Sequence, residues 1–258
     1  VMRYGDDPDQ VADFYPADDP SALVVFLHGG YWRAAYDREH ARPLAVALAE
    51  AGFAVLLAEY RRVGRPGGGY PGTLLDVATL IDVLPDAVAP GLPVLVAGHS
   101  AGGHLALWAA ARPSLPPGAP GALPAPGSAG AAGGPPGSAR AARGLAGVLA
   151  LAPVADLAMA STLGLSNGAT EEFLGGTPAA VPDRYAIADP AALPPPGVPV
   201  TILHGDADDT VPLDVARSYA ADGRASLQVL AGSEHFGVIT PSSSDWPHVV
   251  AALRALTR

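Results

Sequence analysis

Six apolar runs of strand length, alternating with longer helix-like segments, constrain this chain more than any other feature. The runs are Leu23 to Leu27, Phe53 to Ala58, Val94 to Ala97, Leu145 to Leu151, Val198 to Leu203 and Leu227 to Leu230. Leu23-Val24-Val25-Phe26-Leu27 is continuously apolar rather than alternating, so both its faces must be buried, as in a central parallel strand covered by helices. Helices are expected over Arg38 to Ala51, Thr73 to Val88, Ala101 to Arg112, Leu213 to Ala221 and Asp245 to Leu256, with Gly52 suited to cap the first of them. Strand alternating with helix is the signature of βαβ units, which predicts an α/β fold with a mostly parallel twisted sheet and helices on both faces.

Two stretches depart from this rhythm. Residues 113–143 are almost entirely Pro, Gly, Ala and Ser and offer no apolar stripe, so a mobile surface insertion is expected there. Residues 156–196 mix prolines with short helical hints such as Thr170-Glu171-Glu172-Phe173-Leu174, and read as a small irregular lid-like excursion above the sheet. The 258 residues suffice for one domain spanning 1–258, with no internal repeat.

Composition removes several classes of function. With 15 Lys+Arg against 25 Asp+Glu the net charge is -10, and no basic cluster could neutralise a phosphate backbone, so nucleic acid is not an expected partner. The absence of cysteine removes thiolate metal sites, disulfides and a Cys nucleophile. The charged N-terminal stretch lacks an apolar leader core, and the longest apolar tract, Leu145 to Ala160, is broken by Pro153 and Asp156. A soluble, cytoplasmic protein without a membrane partner is therefore expected.

Gly98-His99-Ser100-Ala101-Gly102 matches G-x-S-x-G, the sharp strand-to-helix turn that lifts a serine hydroxyl above a sheet. Chance alone would supply roughly 0.2 such matches in a chain this rich in glycine, so context must decide. An expected strand precedes the motif and an expected helix follows it, and a helix N-terminus favours developing negative charge. Serine is a weak nucleophile until a histidine base, oriented by a carboxylate, takes its proton. Later in the chain, His204-Gly205-Asp206-Ala207-Asp208-Asp209 follows one expected strand and Ser233-Glu234-His235-Phe236 follows the next. This places three candidate acids and the candidate base His235 at the sheet edge where open α/β sheets carry their functional residues. His28-Gly29-Gly30-Tyr31-Trp32 follows the first strand, and its glycines allow close approach of backbone N–H groups to an oxyanion. The oxyanion hole is assigned to the N–H groups of Gly30, Tyr31 and Ala101.

In these motifs the chain resembles the α/β-hydrolases, specifically the esterase branch with an HGG-type oxyanion loop. The combination of His28-Gly29-Gly30-Tyr31-Trp32, Gly98-His99-Ser100-Ala101-Gly102 and His235-Phe236 is similar to the kynurenine formamidases (arylformamidases). The resemblance covers about Leu23 to the C-terminus. It implies Ser100 as nucleophile, His235 as base and Asp208 as triad acid, because the family spacing HG-x-x-D-x-x-V-P falls on His204, Gly205, Asp208, Val211 and Pro212. Gly237 stands where formamidases commonly carry an acidic residue.

The expected activity is hydrolysis of a small ester or amide through an acyl-enzyme, with no metal or organic cofactor required. N-formylkynurenine is the specific substrate that the resemblance suggests, with Tyr31 and Trp32 stacking on its ring or walling the pocket. A general carboxylesterase for short acyl esters and a catalytically idle binding protein of the same fold are the alternatives. Asp206 and Asp209 read as solvated turn acids, His28 and His204 as braces of their loops, and Glu59-Tyr60-Arg61-Arg62 as a structural ion-pair segment. His99 and His104 flank the nucleophile without forming a metal-ligand cluster. Gly67-Gly68-Gly69 lacks the lysine of a phosphate loop and reads as a flexible turn.

Overall fold

The fold is described from a computed structural model over residues 1–124 and 144–258. The strands are β1 (Met2–Arg3), β2 (Val11–Tyr15), β3 (Leu23–Leu27), β4 (Ala54–Ala58), β5 (Val94–His99), β6 (Gly147–Leu151), β7 (Val200–Gly205) and β8 (Ser226–Leu230). They form one sheet in the order β1-β2-β4-β3-β5-β6-β7-β8. The six strands from β4 to β8 in that order run parallel, while β2 pairs antiparallel with both β1 and β4. This is the α/β-hydrolase fold.

Burial explains the continuous hydrophobicity of the central strands. In β3, Leu23, Val25 and Leu27 enter the core on one face of the sheet, while Val24 and Phe26 enter the core on the other. The first face is covered by α2 (Gly72–Val88), α3 (Ala101–Ala111) and α7 (Leu213–Ala220), which contribute Leu74, Leu105 and Val215. The second is covered by α1 (Arg42–Glu50) and α8 (Trp246–Leu256), which contribute Leu44, Leu48, Val249 and Leu253. Every residue of α3 is buried, which is why its sequence is apolar all round. At the opposite extreme, β8 is a sheet edge and is largely exposed. Gly52 follows α1 with φ +91°, a left-handed conformation suited to a glycine beyond a helix end.

The N-terminal strands β1 and β2 were not among the expected strands. Asp13 interrupts the apolar pattern of β2, and its charge is matched from another element: Arg38 Nε donates to Asp13 Oδ2 at 2.9 Å. Residues 156–196 contain three short helices, α4 (Leu157–Thr162), α5 (Ala169–Leu174) and α6 (Pro182–Ala188). Asp156 caps α4 by accepting from the Met159 N–H at 2.7 Å, and left-handed Gly168 and Gly175 bracket α5. Of the expected insertion 113–143, residues 125–143 lie outside the described residues. The preceding stretch folds back onto the body, where Arg112 donates to Asp82 and to the Gly121 carbonyl.

Gly67 to Gly69 corrects the expectation of a flexible turn. A Cβ on Gly68 would stand 1.8 Å from the Arg62 carbonyl oxygen, and the Gly69 N–H donates to Thr73 Oγ1, so this turn is tightly packed. Among the described residues, no helix is long and apolar enough to cross a membrane.

Candidate active site

Strand β5 ends at His99, α3 begins at Ala101, and Ser100 between them adopts φ 57° and ψ -117°. Such a conformation costs on the order of 1–3 kcal/mol in a non-glycine residue and needs its surroundings to hold it. Here the Ser100 N–H donates to Leu151 O at 2.8 Å, while its carbonyl accepts from the N–H groups of His104 and Val154. The flanking glycines are sterically required. A Cβ on Gly98 would meet Gly102 O at 2.2 Å, and one on Gly102 would meet Leu27 O at 2.0 Å. Ala101, as the first residue of α3, presents an N–H with no acceptor inside the helix.

Facing this turn is the loop after β3. Gly30 (φ 113°), Tyr31 (φ 49°) and Trp32 (φ 56°) all have positive φ, and a Cβ on Gly30 would come within 2.4 Å of Tyr36. The strain is held by Arg33 N–H donating to Gly30 O at 3.0 Å and Val63 N–H donating to Trp32 O at 2.8 Å. Beneath the loop, His28 Nε2 lies 2.8 Å from Glu59 Oε1, and the His28 ring stacks on Tyr60 at 4.5 Å. Burial alone would raise the Glu59 pKa. The His28 hydrogen bond and the charges of His28 and Arg62 outweigh burial and hold the carboxyl below its ordinary range. His28 and the Glu59–Arg62 segment therefore sit in a buried brace under the loop after β3.

The three candidate acids after β7 are separated by geometry. Asp208 Oδ2 accepts from His235 Nδ1 at 2.7 Å and stands 3.2 Å from His204 Nε2, while Oδ1 accepts from the N–H groups of Thr210 and Val211. Asp206 instead accepts from the Gly232 N–H, and Asp209 from the Thr210 hydroxyl. Burial works against ionisation of Asp208, but the adjacent His204 imidazole and the hydrogen bond from His235 prevail and hold its pKa well below the usual carboxylate range. Because His235 donates from Nδ1 to a carboxylate, its Nε2 is left as the basic nitrogen. The loop carrying His235 is tied to α8 by the Ser233 hydroxyl, which donates to Asp245, and is closed by Ser243 Oγ donating to Gly237 O.

Ser100, His235, Gly30 and Tyr31 line one cavity of about 670 Å³. Its wall includes Tyr36 and Phe236, which are 54% and 59% exposed, together with Ser166 from the 156–196 excursion. Among the described residues, no hydrogen bond joins the Ser100 hydroxyl to His235, although both face the same cavity.

The substrate-stacking expectation divides between the two aromatics of the loop. Tyr31 lines the cavity, but its hydroxyl donates to Thr210 O at 2.8 Å, tying the loop after β3 to the loop of Asp208. Burial, followed by the charge of Asp208, pushes the Tyr31 pKa up to about 12, which keeps that donor protonated. Trp32 corrects the expectation: it is 1% exposed, stacks on Phe173 of α5 at 4.6 Å and donates from Nε1 to His104 Nδ1 at 3.2 Å. It packs behind the cavity rather than lining it.

His204, expected as a brace of its loop, has Nε2 at 2.9 Å from Val211 O and also stands beside Asp208, four residues away in the chain. Other contributors were not picked out in the sequence. Arg33 donates to Glu172 Oε2 at 2.7 Å and to both the hydroxyl and carbonyl of Ser166, linking the loop after β3 to the 156–196 excursion. Tyr36 carries no motif that would have set it apart, whereas Phe236 belongs to the His235-Phe236 pair already singled out.

A family model described as BD-FAE matches residues 13–221. Among solved structures, a truncated carbohydrate esterase from gut microbiota superposes with a TM-score of 0.79 at 19% identity, covering 99% of this chain and 94% of its own. Esterase B from Lactobacillus rhamnosis gives 0.72 at 20% identity, covering 99% of this chain and 84% of its own. A thermophilic esterase from the Planctomycetes species Thermogutta terrifontis gives 0.68 at 23% identity, with coverages of 99% and 91%. These likenesses show a shared fold. No curated protein matches the sequence.

Proposed function

The chain belongs to the BD-FAE family, and from that premise we propose that it is a serine carboxylesterase that cleaves small esters through an acyl-enzyme. The observation that carries this reading is the His235 Nδ1 to Asp208 Oδ2 hydrogen bond at 2.7 Å, in a site whose base shares a cavity with Ser100. The esterases among the structural neighbours support it.

In this mechanism His235 Nε2 takes the proton of the Ser100 hydroxyl as the oxygen attacks the ester carbonyl. The carbonyl oxygen becomes an oxyanion, held by the N–H groups of Gly30, Tyr31 and Ala101. Collapse breaks the carbon–oxygen bond to the leaving alcohol, which receives the proton from His235, and Ser100 keeps the acyl group. Water then attacks in the same way: His235 takes its proton, the acid departs and Ser100 is restored. Asp208 holds the His235 tautomer and stabilises its imidazolium throughout.

Hydrolysis of N-formylkynurenine is the second reading, favoured by the HGGYW, GHSAG and His235-Phe236 motifs. It ranks below the ester because Trp32, an aromatic of that motif, is committed to packing against Phe173. The test compares kcat/KM for p-nitrophenyl acetate with that for N-formyl-L-kynurenine in wild type and Ser100→Ala. Ester turnover abolished by the substitution supports the proposal, and a strong preference for the formamide moves the protein to the second reading. Ligand binding with no Ser100-dependent turnover of either would point instead to an idle binding protein.

A further inference from the structure

His99 packs against both His235 and the loop after β3 and lines the cavity, yet the chemistry above makes no use of its imidazole. It ends β5 beside Ser100 and is 2% exposed. Its Nε2 lies 2.9 Å from the backbone carbonyl oxygen of His235, and its ring centroid is 4.5 Å from the His235 ring. On the other side it lies flush against the oxyanion loop, where a Cβ on Gly29 would stand 3.0 Å from His99 Nδ1. That Nδ1 is buried without a hydrogen-bond partner.

A carbonyl oxygen only accepts, so Nε2 carries the ring proton and Nδ1 is bare. A second proton would sit on the buried, unpartnered Nδ1. Burial, followed by the positive charge that His235 can carry, pushes the His99 pKa down to about 3. The titratable groups that face it are His235, His40 and Asp208. His99 therefore remains a neutral Nε2–H donor at pH values well above 3.

We propose that His99 is a positioning residue for the general base: its Nε2–H anchors the His235 main chain so that the His235 imidazole is presented to Ser100. The assignment rests on the serine esterase reading. It differs from a packing role in a checkable way, because packing needs only the shape of the ring whereas anchoring needs a donor at the Nε2 position. His99→Phe keeps the shape and removes the donor. His99→Gln brings an amide N–H close to the Nε2 position, and His99→Asn reaches only the Nδ1 position.

The experiment measures kcat and KM for p-nitrophenyl acetate in these variants, together with an NMR titration of the His235 imidazole in the absence of substrate. His99→Phe is expected to lower kcat about 10- to 100-fold, the scale of a small misplacement of a catalytic group, with KM changed less than about threefold. The His235 titration midpoint should shift, and His99→Gln should restore both readouts most of the way. If His99→Phe does not fold, His99→Asn supplies the donor-deficient comparison. A donor-deficient variant with wild-type kcat and an unchanged His235 titration overturns the assignment, as does a folded Gln variant that is no better than Phe or Asn. Should the wild type hydrolyse no ester, the esterase reading fails, while the NMR titration still decides whether His99 anchors His235.

Discussion

Asp208 and His235, 27 residues apart in the chain, are joined by a 2.7 Å hydrogen bond between Oδ2 and Nδ1. They come from the loops after β7 and β8, parallel neighbours in the sheet, so strand pairing brings the two loops together at one edge. The same carboxylate oxygen lies 3.2 Å from His204 Nε2, and the other oxygen accepts two backbone N–H groups. The acid is thereby fixed on both oxygens before any substrate arrives.

Replacing this acid should damage turnover far more than replacing its neighbours. Asp208→Asn is expected to lower kcat/KM for p-nitrophenyl acetate by about 10³- to 10⁴-fold, because an amide no longer enforces the productive tautomer of His235. Asp206→Asn and Asp209→Asn, which act on Gly232 and Thr210, should remain within a few-fold of wild type. Steady-state kinetics on the three variants check this, and comparable losses in all three would contradict the assignment of the acid.

Tyr31→Phe removes the bond that ties the loop after β3 to Thr210 while leaving the ring in the cavity wall. A single net hydrogen bond is worth about 1 kcal/mol, so denaturant unfolding should show a loss of that order. Turnover should fall by less than about tenfold, since the proposed oxyanion donor of Tyr31 is its backbone N–H rather than its hydroxyl.

Arg33 provides three contacts to the 156–196 excursion, where Ser166 forms part of the cavity wall. Arg33→Lys keeps the charge but cannot span both Ser166 and Glu172 with the same planar fork. The expected outcome is a rise in KM of roughly three- to tenfold with kcat little changed, because the wall loosens while the reacting groups stay in place. Equal losses in kcat and in kcat/KM would instead show that Arg33 supports the oxyanion loop itself.

Asp189, which follows α6 and is buried against the start of α4, provides a pH test of the 156–196 excursion. Burial raises its pKa from 3.8 to about 6, with the nearby Asp156 adding to the effect, although the Ala158 and Ala191 N–H groups donate to its oxygens. The folded state thus holds this proton more tightly than the unfolded chain does. Its contribution to stability is fully present below about pH 4 and is lost as pH rises through about 6. A shift of about two pH units corresponds to a contribution on the order of 3 kcal/mol. Thermal unfolding of wild type and Asp189→Asn should show the difference moving in favour of the variant between pH 4 and 7. A difference that stays flat across that range would contradict the raised pKa.

Those elements whose signal is local were legible in the sequence. The strand β3 has the same bounds in both readings because burial on two faces leaves an uninterrupted apolar run. The turn at Ser100 is visible because backbone collisions exclude side chains at Gly98 and Gly102. Other features depend on partners distant in the chain. Asp13 makes β2 resemble a polar loop until Arg38 is brought beside it. Trp32 looks like a substrate platform until Phe173, 141 positions later, covers its face. The short helices α4 to α6 draw on capping and tertiary packing more than on periodicity, which is weak over six or seven residues.

Covalent trapping tests the central claim most directly. A fluorophosphonate ester should phosphonylate Ser100 Oγ, displacing fluoride with His235 accepting the hydroxyl proton. Peptide mass spectrometry of the treated protein is predicted to place a single adduct on the peptide containing Ser100. Labelling should be absent in Ser100→Ala and greatly slowed in His235→Ala. An adduct on a different residue, or ester hydrolysis that persists in Ser100→Ala, would contradict the account.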